Sequence, residues 1–321
     1  MTLKQFFTGG PRPIWMRYWF IIGFFTALTR LILDSNFRTS GLLYILIPYL
    51  VGLALYLFVP PITGMSKTGR FGRHLVASLI VMLCSSAILF EGFICVVMFM
   101  PIYLLFAALA FALGPKHQED GTIDYNDVLR VSFAPLFIAI LSIEGISDTT
   151  SFPRENSVTR TYRVDATLKD IHENLAKPIH LTADRSPFLS LFPLPDRVEA
   201  ESLNEGDIHK SYFTYERWGP LGFGKVNVHK GETWLEIESV SETHIKTKIV
   251  KDTSYFSHYL TVQGTDIKLS PISDTSTEIS LSVHYRRDLD PAWYFGPLQK
   301  AAIKESADYL IENVIARRPL P

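Results

Sequence analysis

Apolar residues run almost unbroken through much of the first 150 positions of the chain and alternate with polar ones through the rest. Residues 14–33, IWMRYWFIIGFFTALTRLIL, form a first apolar stretch. Trp15, Tyr18 and Trp19 gather at one end of it, as aromatic side chains gather at a lipid–water boundary. A second stretch covers residues 42–59, and from Leu75 to Leu113 the chain is apolar for 39 residues, interrupted near Glu91. One helix of that length would reach roughly 58 Å, against a hydrocarbon core of ~30 Å. The pattern therefore predicts two spans, 75–90 and 93–113, folded back at Glu91-Gly92. Residues 131–146, VSFAPLFIAILSIEGI, are a shorter fifth candidate. The expectation for residues 1–150 is an α-helical transmembrane bundle of about five spans.

After SDTTSFPRENS the period changes to two, and residues 151–321 read as a separate α+β domain. VTRTYRV, from Val158, predicts a strand. TLKDIHENLA, from Thr167, predicts a short helix with Leu168, Ile171 and Leu175 on one side. Strands are then expected at 197–203, 209–218, 223–230, 234–240, 244–252, 259–269 and 278–286, separated by turn sequences such as NEGD, HKGE and SDTS. In the last of them Ile279, Leu281, Val283 and Tyr285 alternate with Ser280, Ser282 and His284, giving one buried and one wet face. After DLDP a helix from about Ala292 to Ala316 closes the chain. Phe295, Leu298, Ala302, Ile303, Ser306, Tyr309, Leu310 and Val314 share one arc of it, opposite Lys300, Lys304, Glu305, Asp308 and Glu312. Such a helix covers the concave face of an antiparallel sheet: a helix-grip arrangement.

The charge follows the same division. Of 31 Lys and Arg and 32 Asp and Glu, only 10 and 8 precede residue 151. Neither half is strongly basic, which leaves no electrostatic footprint for a nucleic-acid partner. Cys84 and Cys95, the only cysteines, lie in apolar runs and suggest neither a disulfide framework nor a thiolate metal site. Lys67, Arg70 and Arg73 fall between the second and third spans, which places that loop in the cytoplasm. Five spans would then put the C-terminal domain outside, anchored in the cell membrane with the lipid bilayer as its partner. If residues 131–146 merely lie at the interface, the domain is cytoplasmic. Glu91, at the expected hairpin, either reaches interfacial water or serves as a polar membrane site; the first reading is the simpler.

Chemistry is sparse. YFTYERWGPLGFG, Tyr212 to Gly224, brings Tyr215, Arg217 and Trp218 together and could form a cavity mouth. Its glycines equally fit a strand bend, and no Lys-Ser or Lys-Thr follows to make a phosphate loop. The histidines are dispersed, with no metal-binding spacing, and no nucleophile motif appears. The closing helix is more suggestive. Ala302 and Ser306 are small residues in the middle of its apolar arc, with Phe295 and Leu298 before them and Tyr309 after. Either the helix approaches the sheet closely there, or it leaves a void for a ligand lined by Phe295, Leu298, Ala302, Ser306, Tyr309 and Tyr285.

VTRTYRVDATLKDIHENLA and LSVHYRRDLDPAWYFGPLQKAAIKESADYLIENV together resemble the START-like, polyketide cyclase/dehydrase (SRPBCC) superfamily over residues 156–318. The whole chain resembles bacterial membrane proteins in which such a domain follows several spans. The resemblance implies a deep cavity between sheet and helix for lipids, sterols or other apolar small molecules. It carries over no catalytic residue, and no cofactor or metal is expected. The function expected is a membrane-tethered binding protein for an apolar small molecule or lipid. The alternatives are a cyclase- or dehydratase-type enzyme acting on such a ligand, and an interaction module without ligand.

Overall fold

The computed structural model describes residues 39–59, 64–88, 93–114, 128–181, 185–191, 194–218 and 225–316. They fall into two compact units, and the chain leaves the first for the second between Ser151 and Phe152.

The first unit is helical. A π-turn, Leu42–Leu46, leads into α1 (Ile47–Phe58); α2 (Lys67–Ile88), α3 (Phe93–Leu113) and α4 (Val128–Leu141) follow. Val51 of α1, Met82 of α2 and Tyr103 of α3 share a buried centre. Gly52 lets α1 approach α3 closely, since a Cβ there would lie 2.9 Å from the Ala107 Cα. The His74 ring hydrogen-bonds the Ala107 carbonyl through Nε2 at 2.9 Å, joining α2 to α3.

The second and fourth expected spans are helices within a residue of their expected limits. Two others are corrected. α2 begins at Lys67 rather than Leu75, because Ser66 Oγ accepts the Gly69 N–H at 3.2 Å and starts a helix there. Lys67, Arg70 and Arg73 are therefore helical rather than in a loop. α4 stops at Leu141 and leaves 142–146 in turns. Ser142 Oγ folds back onto the Ala139 carbonyl at 2.7 Å, and Gly145, at φ 88°, turns the chain away. Its 14 residues rise about 21 Å, short of a hydrocarbon core. Among the described residues one helix, at Val96–Leu113, is long and apolar enough to cross a membrane, so a bundle of five full spans is not supported. The expected first span, 14–33, and the turn at Glu91-Gly92 lie outside the described residues.

The second unit contains, among its described residues, an eight-stranded antiparallel sheet in the order β1-β8-β7-β6-β5-β4-β3-β2. The strands are β1 (Glu155–Val164), β2 (Ile179–His180), β3 (Arg197–Glu199), β4 (Ile208–Trp218), β5 (Lys225–Val240), β6 (His244–Asp252), β7 (Leu260–Ser273) and β8 (Ser276–Arg287). The short α5 (Leu168–Leu175) opens on Thr167, whose side chain caps the Asp170 N–H while the Asp170 carboxylate accepts the Thr167 N–H. The long α6 (Ala292–Leu310) ends in a π-turn, Ile311–Ile315. Sheet and terminal helix together make the helix-grip arrangement.

HKGE is not a turn. It lies inside the 16-residue β5, where Gly231 stands opposite Phe213. Glycine is needed at that point because a Cβ would meet the Thr253 carbonyl oxygen at 2.7 Å. Register shifts between Trp234 and Leu235, and again between Ile237 and Ser239, add twist to this long strand. A third irregularity separates Val262 from Gly264 in β7. A Cβ on Gly264 would lie 2.1 Å from the Thr247 carbonyl oxygen of β6, an overlap no rotamer relieves. Gly264→Ala should therefore lower the stability of this unit by at least about 1–3 kcal/mol, read as a lower urea midpoint.

Side-chain links hold α6 against the sheet. The Arg160 guanidinium of β1 grips the Asp308 carboxylate through two N–H groups. Asn174 of α5 donates to the Ile315 carbonyl at 3.2 Å. Where β8 hands over to α6, Arg287 (2% exposed) and Asp290 (0%) form a buried ion pair. Arg287 also donates to the Leu289 and Phe152 carbonyls, and Arg154 donates to the second Asp290 oxygen at 2.8 Å.

Candidate functional site

Between the concave face of the sheet and α6 lies a cavity of about 270 Å³. Its walls follow from strand geometry, since successive side chains point to opposite faces. Thr233, Leu235 and Ile237 enter from β5, and Ile245, Thr247 and Ile249 from β6. On β7 the phase slips from Leu260 and Val262 to Thr265 and Ile267, because the bulge between Val262 and Gly264 inserts one residue. The helix contributes Ala302, Ile303, Ser306, Ala307, Tyr309 and Leu310.

The walls are mainly aliphatic, and most of their polar groups are already engaged. Thr233 Oγ1 and the Ser254 N–H both donate to Asp252 Oδ1, at 3.0 and 2.8 Å. The Thr247 and Thr265 hydroxyls pair at 2.8 Å. His209 Nε2 meets the Ser202 carbonyl at 2.8 Å, which makes that nitrogen the donor. Ser202 is itself held by Asp207, whose carboxyl is kept below the usual range by hydrogen bonds from the Ser202 hydroxyl and the Asn204 N–H. A ligand would thus meet a dry surface whose fixed dipoles point at one another.

Three of the residues expected at the site stand on its wall: Ala302, Ser306 and Tyr309. Three do not. Phe295 is buried but sits one helical turn before Gln299, ahead of the cavity. Leu298 is only half-buried. It shares the side of the helix with Tyr309, within about 20° at 100° per residue, but lies about one turn ahead of Ala302, where the wall begins on this helix. Tyr285 is 2% exposed within the core cluster rather than on the cavity wall, and burial pushes its phenol pKa up. Tyr215, Arg217 and Trp218 end β4, but their side chains, like Glu91 as a whole, lie outside what is described.

Sequence reasoning missed the inward residues of β5 and β6, although their period-two pattern was there to be used. It also passed over Gln299, which is polar and so was left off the apolar arc, yet is 4% exposed. The histidine–carboxylate pair His244–Asp266, 2.8 Å apart, belongs to the opposite face of the sheet, since the next residues, Ile245 and Ile267, line the cavity. Among the described residues no group of three His, Cys, Asp or Glu side chains could hold a metal ion.

No protein-family model matches the chain, and no curated protein does. Solved structures similar to it include a START superfamily protein from Mycobacterium smegmatis, at 15% identity and a TM-score of 0.31, over 48% of this chain and 91% of that one. Truncated norcoclaurine synthase from Thalictrum flavum is 19% identical, with a TM-score of 0.32, over 52% of this chain and 99% of its own. The Zhui aromatase/cyclase from a Streptomyces strain is 13% identical, with a TM-score of 0.27, over 49% and 96%. At these scores none of them bears on what this chain binds or does.

Proposed function

We propose that the second unit binds an apolar small molecule or lipid in the cavity between sheet and helix, and that the helical unit tethers it to a membrane. The observation that carries the binding reading is the cavity itself: about 270 Å³, walled mainly by Leu, Ile and Val, where a well-packed core would leave no such space. Burying a ligand's CH₂ groups there contributes about 0.8 kcal/mol each. The titratable groups described on the wall do not form a proton-transfer pair. His209 is bonded to a carbonyl and Asp252 to a hydroxyl and a backbone N–H, which favours binding over cyclase or dehydratase chemistry.

Support for tethering comes from the helical unit. Phe133, Leu136, Phe137 and Ile140 of α4 are all more than half exposed, as are Val76 and Ile80 of α2. Contiguous apolar faces of this kind are rare on soluble monomers. With the Lys67–Arg73 cluster on the cytoplasmic side, an α4 that crosses would put the second unit outside the cytoplasm, and an α4 that lies at the interface, as its length of about 21 Å favours, would leave it inside. Mass spectrometry of organic extracts from the purified full-length chain tests the binding reading. An apolar compound should be recovered in stoichiometric amount and be absent from a variant with the cavity filled. Equal recovery from both would overturn it.

A further inference from the structure

We infer that the cavity holds its ligand by a protonated amine head group, and that the Asp252 carboxylate is the anchor for it; this rests on the apolar-ligand reading above. Asp252 stands on the cavity wall because of a bulge. On β6, Ile249 lines the cavity opposite Leu235 of β5. Plain alternation would next point Lys251 inward. The register instead shifts past Val250, so that Lys251 stands opposite Trp234 and Asp252 opposite Thr233. Lys251 thereby goes to the outer face, where its Nζ pairs with Glu232 and lies 4.4 Å from the centre of the Trp234 ring. One extra residue thus exchanges a cation for an anion on the wall of an aliphatic chamber.

The carboxylate is half-buried and held in one orientation. Both bonds the structure shows to it, from Thr233 Oγ1 and the Ser254 N–H, fall on Oδ1. Among the described residues no donor reaches Oδ2 and no cation pairs with the group. The basic side chains on the same wall are engaged elsewhere, Lys177 with Glu173 at 3.0 Å and His209 with the Ser202 carbonyl. An uncompensated negative charge beside apolar walls is costly, and a bound cation offsets that cost. The surroundings suit an ammonium in particular. Ser211, opposite Thr233, and Ser254 also line the cavity near Asp252, and their hydroxyls can accept the N–H groups an ammonium has left over. A fatty acid would bring a second negative charge to the same place, and a pure hydrocarbon would leave the first unpaired. The ligand class is therefore a primary amine with an apolar body.

The probes 1-decylamine, a cation near neutral pH, and 1-decanol share one chain and differ in the charge of the head. The purified full-length chain is incubated with an equimolar mixture, passed through a sizing column and extracted, and the retained ratio is read by mass spectrometry. The double variant Ala302→Leu/Ser306→Leu, whose side chains fill the cavity, supplies the blank, including whatever the detergent carries. After the blank is subtracted, wild type should retain the amine over the alcohol by at least about tenfold, the scale of one charge-assisted hydrogen bond. In Asp252→Asn, which keeps the Oδ1 acceptor and loses the charge, the ratio should fall to near one. Asp252→Ser is read alongside so that the result does not hang on the folding of one variant. Equal retention of the two probes by wild type, or more alcohol than amine, overturns the inference and leaves the binding reading standing. So does an amine preference that survives both substitutions. Retention of neither probe above the blank overturns both.

Discussion

Asp290→Ala should destabilise the second unit by about 3–5 kcal/mol, because it strands a buried guanidinium. Asp290 is fully buried and receives N–H groups from both Arg287 and Arg154. Arg287 is 2% exposed, and without the carboxylate its buried charge would lose the countercharge it holds through Nη1 while keeping its bonds to the Leu289 and Phe152 carbonyls. Those carbonyl bonds keep the side chain in place, so it cannot swing out to water cheaply. This cluster ties three points of the fold together: the chain entering β1, the end of β8 and the first turn of α6. Its loss should therefore loosen the grip of the helix as well as lower the unfolding midpoint. Urea denaturation followed by far-UV circular dichroism measures the first effect. The second should appear as faster amide hydrogen exchange in α6, at Phe295 to Tyr309. A loss of less than about 1 kcal/mol would show that Arg287 finds another partner and that the pair is not a keystone.

Filling the cavity should abolish binding without weakening the fold. Ala302 is 6% exposed, and it and Ser306 both face the chamber. Ala302→Leu/Ser306→Leu therefore extends side chains into open space rather than into packed neighbours. Each leucine adds methyl and methylene carbons to an apolar space, at about 0.8 kcal/mol gained per buried CH₂. The expected outcome is a thermal midpoint equal to or above that of wild type, with retained 1-decanol reduced at least about tenfold. A tightly packed interface would respond in the opposite way, losing about 1–3 kcal/mol to overpacking with retention unchanged. That result would remove the basis for a ligand site. The small residues in the middle of the helix would then mark nothing more than close helix–sheet contact.

The contrast between the two halves of the chain shows where sequence reasoning reaches. In the second unit a hydrophobic face had to be buried, so alternation in β8 and the 100° arc in α6 led directly to sheet, helix and their mutual faces. In the first unit the apolar runs identified α1 and α3 closely, even though Pro101 stands inside α3. They misjudged α2 and α4, where a hydrogen bond accepted by Ser66 and one donated by Ser142 set the ends. Runs of hydropathy carry no information about such caps.

By itself, the sequence determined the α+β class of the second unit and the order of its principal elements, and it offered Ala302, Ser306 and Tyr309 as candidates for a cavity wall. Those properties depend on periodicity, which is local. Tertiary structure alone decided the rest. The continuity of β5 through HKGE required the close approach of Thr253 to Gly231, a contact between residues 22 positions apart. The phase of β7 depended on a bulge whose glycine fits against Thr247. Gln299 reads as an ordinary surface glutamine until the helix is docked, when the Tyr259 carbonyl takes one end of its amide and leaves the other without a donor. An unsatisfied group is a property of everything packed around it, and no window of sequence contains that.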